Sequence, residues 1–257
     1  MDDRDQILWT RSHLPALPED GVTPAISRLT PEDLRIVYQP IVSLEDGRCF
    51  AVEALVRCKH DALRSPIDLF EHAVTQMACG RLGRLIREVT FEQLSGIPVF
   101  VNVHPRELST RWLVRPDDPI CFYEHPVYLE VTESAAFEYF DLCRDVLNEV
   151  RQRTGAHVVV DDFGAGYSNL SRIVDLEPSI VKLDRSVVAD LHLYPRKRVL
   201  IEHMVAMCVD LGARVVAEGI EKLDELRALR QLGVHYGQGY LLARPAYPVP
   251  AVHWPLP

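Results

Sequence analysis

Residues 35–58 read RIVYQPIVSLEDGRCFAVEALVRC, and this stretch decides which fold the rest of the chain can adopt. Two apolar runs, 35–44 and 49–58, have the composition of strands and are separated by Glu45-Asp46-Gly47. A link this short cannot hold a helix, and Asp-Gly favours a tight turn, so the two runs predict a β-hairpin. One strand of the hairpin must then run antiparallel to any parallel sheet that the remaining strands form.

Six further apolar runs follow the hairpin, and most of them alternate with segments that have apolar residues at helical spacing. Several runs lack the apolar–polar alternation of half-exposed strands, which is typical of strands buried on both faces. Eight strands with helices between most of them predict an α/β fold, a TIM-type (β/α)8 barrel in which the hairpin supplies one antiparallel strand. The predicted later strands are 98–103, 127–131, 156–161, 179–184, 214–218 and 238–242, and the predicted helices are 65–80, 137–155, 195–212 and 222–233.

The chain divides into three expected segments. Residues 1–30 contain prolines and charges without a regular period, which indicates an N-terminal arm or linker. Residues 31–247 carry the strand and helix patterns of the barrel, and 248–257 form a proline-rich C-terminal tail. We therefore expect one barrel domain with a short extension at each end.

Composition excludes several classes of function. The net charge of −9 argues against a broad nucleic-acid surface, so we expect no DNA partner. No apolar run approaches the ~18 residues of a membrane span, and the first residues lack the apolar core of a signal peptide. The six cysteines form no C-x-x-C pair, which fits reduced thiols. These features predict a cytoplasmic protein without a membrane span.

Polar side chains occur at the end of nearly every predicted strand. In a barrel these ends meet on one face, where active sites are built. Oxygen ligands without soft partners suit Mg²⁺ or Mn²⁺, and a divalent ion would allow two adjacent aspartates to tolerate each other. The pattern therefore predicts a metal site at the barrel mouth, built from Glu53, Asn102, Glu130, Asp161 and Asp162, with Lys182, Glu218 and Gln238 on the ends of the remaining strands.

Taken one at a time, these residues have plainer interpretations. Asp162 before a glycine-containing loop could cap a helix. A glutamate at a strand end is often a solvated rim residue, and Lys182 could be a surface ion-pair partner. The joint pattern favours a site, because isolated polar residues would be scattered through the loops rather than placed at the ends of the apolar runs.

The same residues stand in ordered motifs: YQPI (38–41), VEALVR (52–57), FVNVHP (100–105), YLEVTES (128–134), DDFGAGYSNL (161–170), VKLDRS (181–186), VVAEGIE (215–221) and QGYLLARP (238–245). With them, residues 34–245 resemble the EAL-domain family of cyclic di-GMP phosphodiesterases. The resemblance implies a barrel with one antiparallel strand. It also implies hydrolysis of cyclic di-GMP to linear pGpG through activation of water by two Mg²⁺ or Mn²⁺ ions.

The resemblance also implies roles for individual residues. The metal-ligand positions match Glu53, Asn102, Glu130, Asp161 and Asp162. Catalytic positions match Glu53, Lys182 and Glu218, and substrate-facing positions match Gln39, Arg57 and Gln238. Glu133 and Glu221 match supporting positions. We expect Lys182 to orient the attacking water or help to deprotonate it, and Arg57 to contact a phosphate oxygen.

The sequence departs from the family pattern at several places. Ala165 and Asn169 stand where the family usually has Thr and Ser, and 58–83 diverges strongly enough to suggest a surface for a protein partner. A homodimer is compatible with the resemblance.

Two other functions remain open. The first is a cyclic di-GMP receptor or interaction module of the same fold that hydrolyses weakly or not at all. The second, on the barrel alone, is a Schiff-base or enolase-like enzyme that uses Lys182. Retention of every ligand position together with Lys182 favours the hydrolase.

Overall fold

The structure is a computed structural model that describes residues 24–132, 140–165 and 170–256. Eight strands form one closed barrel: β1 (Leu34–Ser43), β2 (Cys49–Cys58), β3 (Val99–Asn102), β4 (Val127–Thr132), β5 (His157–Phe163), β6 (Ile180–Leu183), β7 (Arg214–Ala217) and β8 (Tyr236–Gly237). The helices that surround it are α1 (Pro66–Thr75), α2 (Cys79–Gln93), α3 (Pro105–Ser109), α4 (Phe140–Thr154), α5 (Leu170–Leu176), α6 (Arg185–Val188), α7 (Pro195–Asp210) and α8 (Leu223–Gln231). Short 3₁₀ turns join several of these elements.

The strands follow each other around the barrel in chain order. Strand β1 pairs antiparallel with both β2 and β8, and all other neighbours are parallel. The hairpin turn closes through the Gly47 N–H, which donates to the Ser43 carbonyl over 2.9 Å, and Gly47 adopts a left-handed φ of 75°. The predicted TIM-type barrel with one antiparallel strand is confirmed, and that strand is β1.

Two apolar regions hold the barrel together. The larger one lies between the outer faces of the strands and the helices, where α1, α2, α4, α7 and α8 bury their apolar faces. The smaller one fills the barrel interior with one side chain from each strand: Ile41, Ala51, Phe100, Tyr128, Val159, Ile180, Val216 and Tyr236. We call this second set the interior apolar layer.

Two predicted elements are wrong in their limits. The last strand is Tyr236–Gly237 rather than 238–242, because the Gly239 carbonyl accepts from the N–H groups of Leu242 and Ala243 and bends that segment into a turn. The helix predicted over 65–80 ends at Thr75, where Met77 follows with a left-handed φ of 52°. Its start is as predicted: the Ser65 hydroxyl accepts from the Ile67 N–H and caps α1.

Helix α2 was not predicted, because two glycines interrupt its pattern. Both glycines are required by packing rather than by a turn. A Cβ at Gly80 would lie 2.1 Å from the Trp112 ring, and one at Gly83 would lie 2.0 Å from a Glu107 carboxylate oxygen. The sequence therefore presents a helix-weakening residue where the tertiary structure needs a close approach.

Segments on both sides of the barrel pack against it. Ile26 and Leu29 are buried in the larger core. At the other end, Ala246 pairs with Tyr38 of β1 through two backbone hydrogen bonds, and the Trp254 ring covers Gly47. Within the described residues, no helix combines the length and hydrophobicity needed to cross a membrane.

Candidate active site

A layer of polar side chains lies directly above the interior apolar layer. On each of the seven parallel strands, the polar residue follows the apolar interior residue by two positions, and on the antiparallel β1 it precedes it by two. Residues two apart in a strand point to the same side, so both sets face the barrel interior. This polar layer consists of Gln39, Glu53, Asn102, Glu130, Asp161, Lys182, Glu218 and Gln238, at the carboxyl ends of the parallel strands.

Lys182 lies at the centre of the polar layer, and its side chain is 1% exposed. Its Nζ lies 2.6 Å from an oxygen of Glu130 and 2.6 Å from an oxygen of Glu218. Oxygens of Asp161 and Glu53 follow at 3.2 and 3.6 Å. Carboxylates from four different strands are thus gathered around one ammonium.

Three amide side chains complete the layer. Asn102 Nδ2 donates to Glu53 over 3.3 Å and to Glu130 over 3.1 Å. Gln238 Nε2 donates to Glu53 over 2.5 Å and to the Gln39 side-chain oxygen over 2.9 Å. Gln39 Nε2 in turn donates to the Ala243 carbonyl. Both polar groups of Gln39 are therefore engaged: its oxygen holds Gln238, which in turn holds Glu53, and its amide nitrogen is anchored on the Ala243 carbonyl.

Asp162 reaches the same site by a local break in strand geometry. Regular alternation would point its side chain away from that of Asp161. Instead Asp162 adopts a left-handed φ of 58°, and the pairing of β5 with β6 shifts register between Val160 and Phe163. As a result, Asp161, Asp162 and Glu218 each present a carboxylate oxygen within 4.8 Å of the others.

The site carries more negative charge than Lys182 can neutralise. Burial raises the pKa of Asp162 to about 8, and the neighbouring charge of Asp161 adds to this effect. Burial also raises the pKa of Glu130 and Glu218 well above their ordinary range and raises that of Asp161. Burial alone would lower the pKa of Lys182, but the surrounding carboxylates outweigh it and the net shift is upward. Lys182 is therefore a firmly charged ammonium.

The donor set fits hard divalent cations. Five carboxylates and one asparagine amide converge, and oxygen ligands of this kind suit Mg²⁺, Mn²⁺ or Ca²⁺. Gln238 Oε1 is buried and accepts no hydrogen bond within the described residues, so it is free to accept one from a bound water. Divalent cations would relieve the repulsion that raises the carboxyl pKa values.

Two predicted site residues, Arg57 and Glu221, lie outside this network. Arg57 is four positions beyond Glu53 on β2; its guanidinium donates to the Val56 carbonyl and, within the described residues, makes no ion pair. Glu221 pairs with Arg185 over 2.9 Å. Glu133 falls outside the described residues, as does Asn169.

The sequence interpretation missed Glu225, a buried carboxylate that joins two loops at the mouth. Its oxygens accept from the backbone N–H of Asp190 over 2.9 Å and from those of Glu221 and Lys222 over 3.0 Å each. Asp190 belongs to the loop after β6, and the other two follow β7. Glu225 therefore fixes the loops that follow Lys182 and Glu218. Glutamate in the first turn of a helix usually indicates only a cap, so the sequence carried no stronger signal.

Comparisons with known proteins place this geometry in a family. The EAL domain model matches residues 25–245. The chain is 33% identical over 238 residues to the cyclic di-GMP phosphodiesterase PA2567 of Pseudomonas aeruginosa, covering 88% of this chain and 40% of that protein. It is 32% identical over 236 residues to the cyclic di-GMP phosphodiesterase PdeR of Escherichia coli, covering 87% and 35%. The chain thus spans less than half the length of these relatives.

Solved structures show the same architecture. Klebsiella pneumoniae BlrP1 in its calcium and cyclic di-GMP complex superposes with a TM-score of 0.75 at 30% identity, covering 84% of this chain and 57% of that one. A Listeria monocytogenes EAL domain protein gives a TM-score of 0.75 at 28% identity, covering 86% and 91%. BlrP1 has also been solved with manganese and cyclic di-GMP, at a TM-score of 0.70 and 31% identity over 83% of this chain and 56% of that one.

Proposed function

The chain belongs to the EAL domain family, and from this premise we propose that it is a metal-dependent phosphodiesterase that hydrolyses cyclic di-GMP to linear pGpG. The observation that carries the proposal is the polar layer, in which four carboxylates and Lys182 meet at the carboxyl ends of the strands and Asp162 adds a fifth carboxylate. Relatives named as cyclic di-GMP phosphodiesterases support the substrate, and the calcium and manganese complexes of BlrP1 support the class of cofactor.

We assign the cofactor to Mg²⁺ or Mn²⁺, with two ions held by Glu53, Asn102, Glu130, Asp161 and Asp162. When bound, such ions lower the pKa of water and neutralise phosphate oxygens. The amide chain from Gln39 through Gln238 keeps one Glu53 oxygen in place, and Asn102 holds the other. Gln238 and Asn102 thus orient the carboxylates of Glu53 and Glu130, whose like charges would otherwise push them apart.

Lys182 and Glu218 supply the protein's own share of the chemistry. Because the carboxylates keep Lys182 protonated, it orients the attacking water and offsets negative charge rather than accepting a proton. Glu218 lies next to Lys182 and the paired aspartates, so it is placed to accept the proton from the water. The water oxygen bonds to phosphorus and the bond from phosphorus to the 3′ oxygen breaks. The leaving oxygen then takes up a proton.

Arg57 is the residue assigned to the substrate phosphate. Its guanidinium is on the same strand as Glu53 and is free of carboxylate partners within the described residues. A guanidinium can contact two oxygens of a phosphodiester at once. Glu221, through Arg185, and Glu133 remain proposed supporting residues.

The test is a product assay with purified protein, cyclic di-GMP and either Mg²⁺ or Mn²⁺. We expect formation of pGpG that stops when a chelator is added. Replacement Glu53→Ala should lower turnover by roughly 10²-fold or more, the size of effect expected for a principal electrostatic group. Glu45→Ala, at the hairpin turn at the opposite end of the barrel, is the matched control and should leave turnover unchanged.

Two outcomes would contradict the proposal. A near-normal rate for Glu53→Ala would remove that residue from the site. Saturable binding of cyclic di-GMP without product, in the presence of either metal, would instead identify the chain as a receptor of the same fold.

A further inference from the structure

A second concave site lies outside the barrel, between α2 and the segment that follows α3. It has a volume of about 230 Å³. We call it the arginine pocket; it is lined by Arg81, Arg84, Leu85, Glu88, Trp112 and Arg115. Its lining carries three guanidinium groups and one carboxylate, in a chain whose net charge is −9. The charge at this place is therefore opposite to that of the polar layer and of the chain as a whole.

Two of the three arginines have charge to spare. Arg115 stacks its guanidinium over the Trp112 ring at 3.8 Å, and Arg81 donates to the Leu29 carbonyl over 3.2 Å. Within the described parts of the chain, neither arginine has a carboxylate within ion-pair distance. Arg84 is paired with Asp117 at 2.5 Å, which leaves its remaining N–H groups available. The pocket thus presents positive charge that the protein itself does not neutralise.

The walls of the pocket are fixed relative to each other. Arg87, on the buried side of α2, reaches Glu107 at 2.5 Å and Asp118 at 2.6 Å, and all three side chains are almost fully buried. Asp118 also caps the 3₁₀ turn that begins at Pro119. A buried, hydrogen-bonded ion triad of this kind holds its elements in one arrangement, because breaking it leaves unpaired charge in the interior.

The position of the Trp112 ring is also fixed by packing. Its ring lies so close to α2 that a Cβ at Gly80 would be 2.1 Å from it. One side of the indole is therefore closed by the helix backbone, and Arg115 stacks on the ring. A concavity with rigid walls loses little conformational entropy when a ligand enters, which favours binding.

We propose that the arginine pocket is a binding site for a phosphate-monoester anion. Guanidinium groups match the geometry and charge of phosphate oxygens, and a dianionic monoester gains more from three of them than a diester does. The pocket is smaller than the roughly 300–1,000 Å³ of sites for drug-sized ligands, so it would enclose the phosphate and leave the rest of the molecule at the rim.

The phosphate could come from inorganic phosphate or from a nucleotide with a terminal phosphate. Linear pGpG carries such a 5′ phosphate, so product binding is one arm of the test, and only that arm rests on the proposed function. The site itself does not, because binding can be measured without turnover.

The experiment is isothermal titration calorimetry on the full chain, freed of metal with a chelator so that no phosphate binds through a cation at the mouth. Separate titrations use inorganic phosphate, GMP, pGpG and, as the diester control, cyclic di-GMP. We expect saturable binding of the monoesters, with affinity that falls as salt rises because the contact is a charged one. Binding of inorganic phosphate alone would assign the phosphate group as the whole ligand. Tighter binding of GMP and pGpG would assign a nucleotide.

Three variants localise the binding. Arg81→Gln combined with Arg115→Gln should weaken binding about tenfold or more, because these two guanidiniums have no carboxylate partner within the described residues and would donate charge-assisted hydrogen bonds to the phosphate. Glu88→Gln should tighten binding a few-fold, because it removes the opposing charge. Arg227→Gln, an exposed ion-paired arginine on α8, is the matched control and should have no effect.

A ligand-induced change in tryptophan fluorescence gives an independent reading. This fluorescence change should disappear in Trp112→Phe and persist in the control variant Arg227→Gln. The proposal is overturned if no monoester binds saturably up to about 10 mM, which would exclude a Kd in the millimolar range or below. It is equally overturned if the double arginine variant, with an unchanged melting temperature, binds as well as the parent, or if Glu88→Gln weakens binding.

Discussion

The two ends of the barrel interior are built from the same eight strands but have opposite chemistry. The interior apolar layer, toward the amino ends of the parallel strands, includes three aromatic residues, and we call this side the aromatic end. Phe100 stacks on Tyr128 at 4.4 Å between ring centroids, and Phe50, which packs against the layer, stacks on Tyr236 at 4.1 Å. Two residues further along each parallel strand, the polar layer holds five of its eight members as carboxylates or the lysine. Two residues along each strand therefore separate a packed apolar core from a charged cluster.

This difference separates stability from chemistry. The aromatic end closes the barrel and gains free energy from burial and ring contacts. The polar end opposes folding in the metal-free protein, because its carboxylates are buried and repel each other. The apolar layer therefore provides the packed base on which an electrostatically unfavourable cluster, the proposed cation site, is held.

Replacement Lys182→Met should have the largest effect on activity. It removes the one ammonium among the polar-layer carboxylates and the group assigned to orient the water. We expect turnover to fall by roughly 10²- to 10³-fold, the range for loss of a principal electrostatic group. Turnover measured at saturating Mn²⁺ tests this, with circular dichroism to confirm folding. A loss of less than tenfold would place Lys182 outside the chemistry.

Replacement Phe100→Ala, at the aromatic end, should lower stability rather than turnover. Phe100 is fully buried, so truncation should cost about 3–5 kcal/mol of unfolding free energy. The folded fraction should retain turnover within a few-fold. Urea denaturation measures the first quantity and the product assay the second. Phe122→Ala, at a side chain that is 72% exposed, is the control, and its stability should match the parent. Equal losses for both variants would contradict the layer assignment.

The charged end should also give metal-free protein an unusual pH dependence. The folded-state pKa of Asp162 is raised from 3.8 to about 8, so protonation favours the folded state. The stabilisation is fully present below about pH 4 and is lost as pH rises toward 8. Glu130, Asp161 and Glu218 are shifted in the same direction.

Melting temperature of the metal-free protein should therefore fall by several degrees between pH 5 and pH 8.5, taking ~2–4 °C per kcal/mol for a chain of this size. Saturating Mn²⁺ should raise the melting temperature, and more at pH 8.5 than at pH 5, because cations compete with protons for the same oxygens. A metal-free melting temperature that rises over this range would show that the carboxylates are not held as described.

Glu225→Gln should produce the smallest of these effects. The amide keeps the side chain's size but loses the charge that accepts three backbone N–H groups. We expect turnover to fall about three- to tenfold, with a smaller change in KM, from loss of roughly 1 kcal/mol of loop positioning. Asp224→Asn, an exposed neighbour, is the control. A change confined to stability would leave Glu225 as a purely structural cap.

The sequence was most informative where pattern and geometry agree. The short link at Glu45-Asp46-Gly47 allowed only a hairpin, and the antiparallel β1 confirms it. The strand-end position of residues such as Asn102, Glu130 and Lys182 predicted their convergence. Each lies two positions beyond the interior apolar residue of its own strand, so all of them point into the barrel at the same height.

Other features depend on tertiary contacts that no local pattern reveals. The left-handed Asp162 is fixed by a register shift against β6, and Gly83 of α2 by the approach of Glu107. Gln39, which is still predicted to face the substrate, uses both polar groups to hold Gln238 and the Ala243 carbonyl, and the sequence did not show these contacts. In each case a distant segment determines the local conformation.

The central claim is that the polar layer binds divalent cations, and diffraction from crystals grown with Mn²⁺ tests it most directly. Anomalous scattering at the manganese edge should show peaks within ~2.0–2.3 Å of oxygens from Glu53, Glu130 and the paired aspartates, a contact length typical of hard cations and oxygen ligands. The account is contradicted if the density at the mouth shows no anomalous peak and Lys182 remains the only cation among these carboxylates.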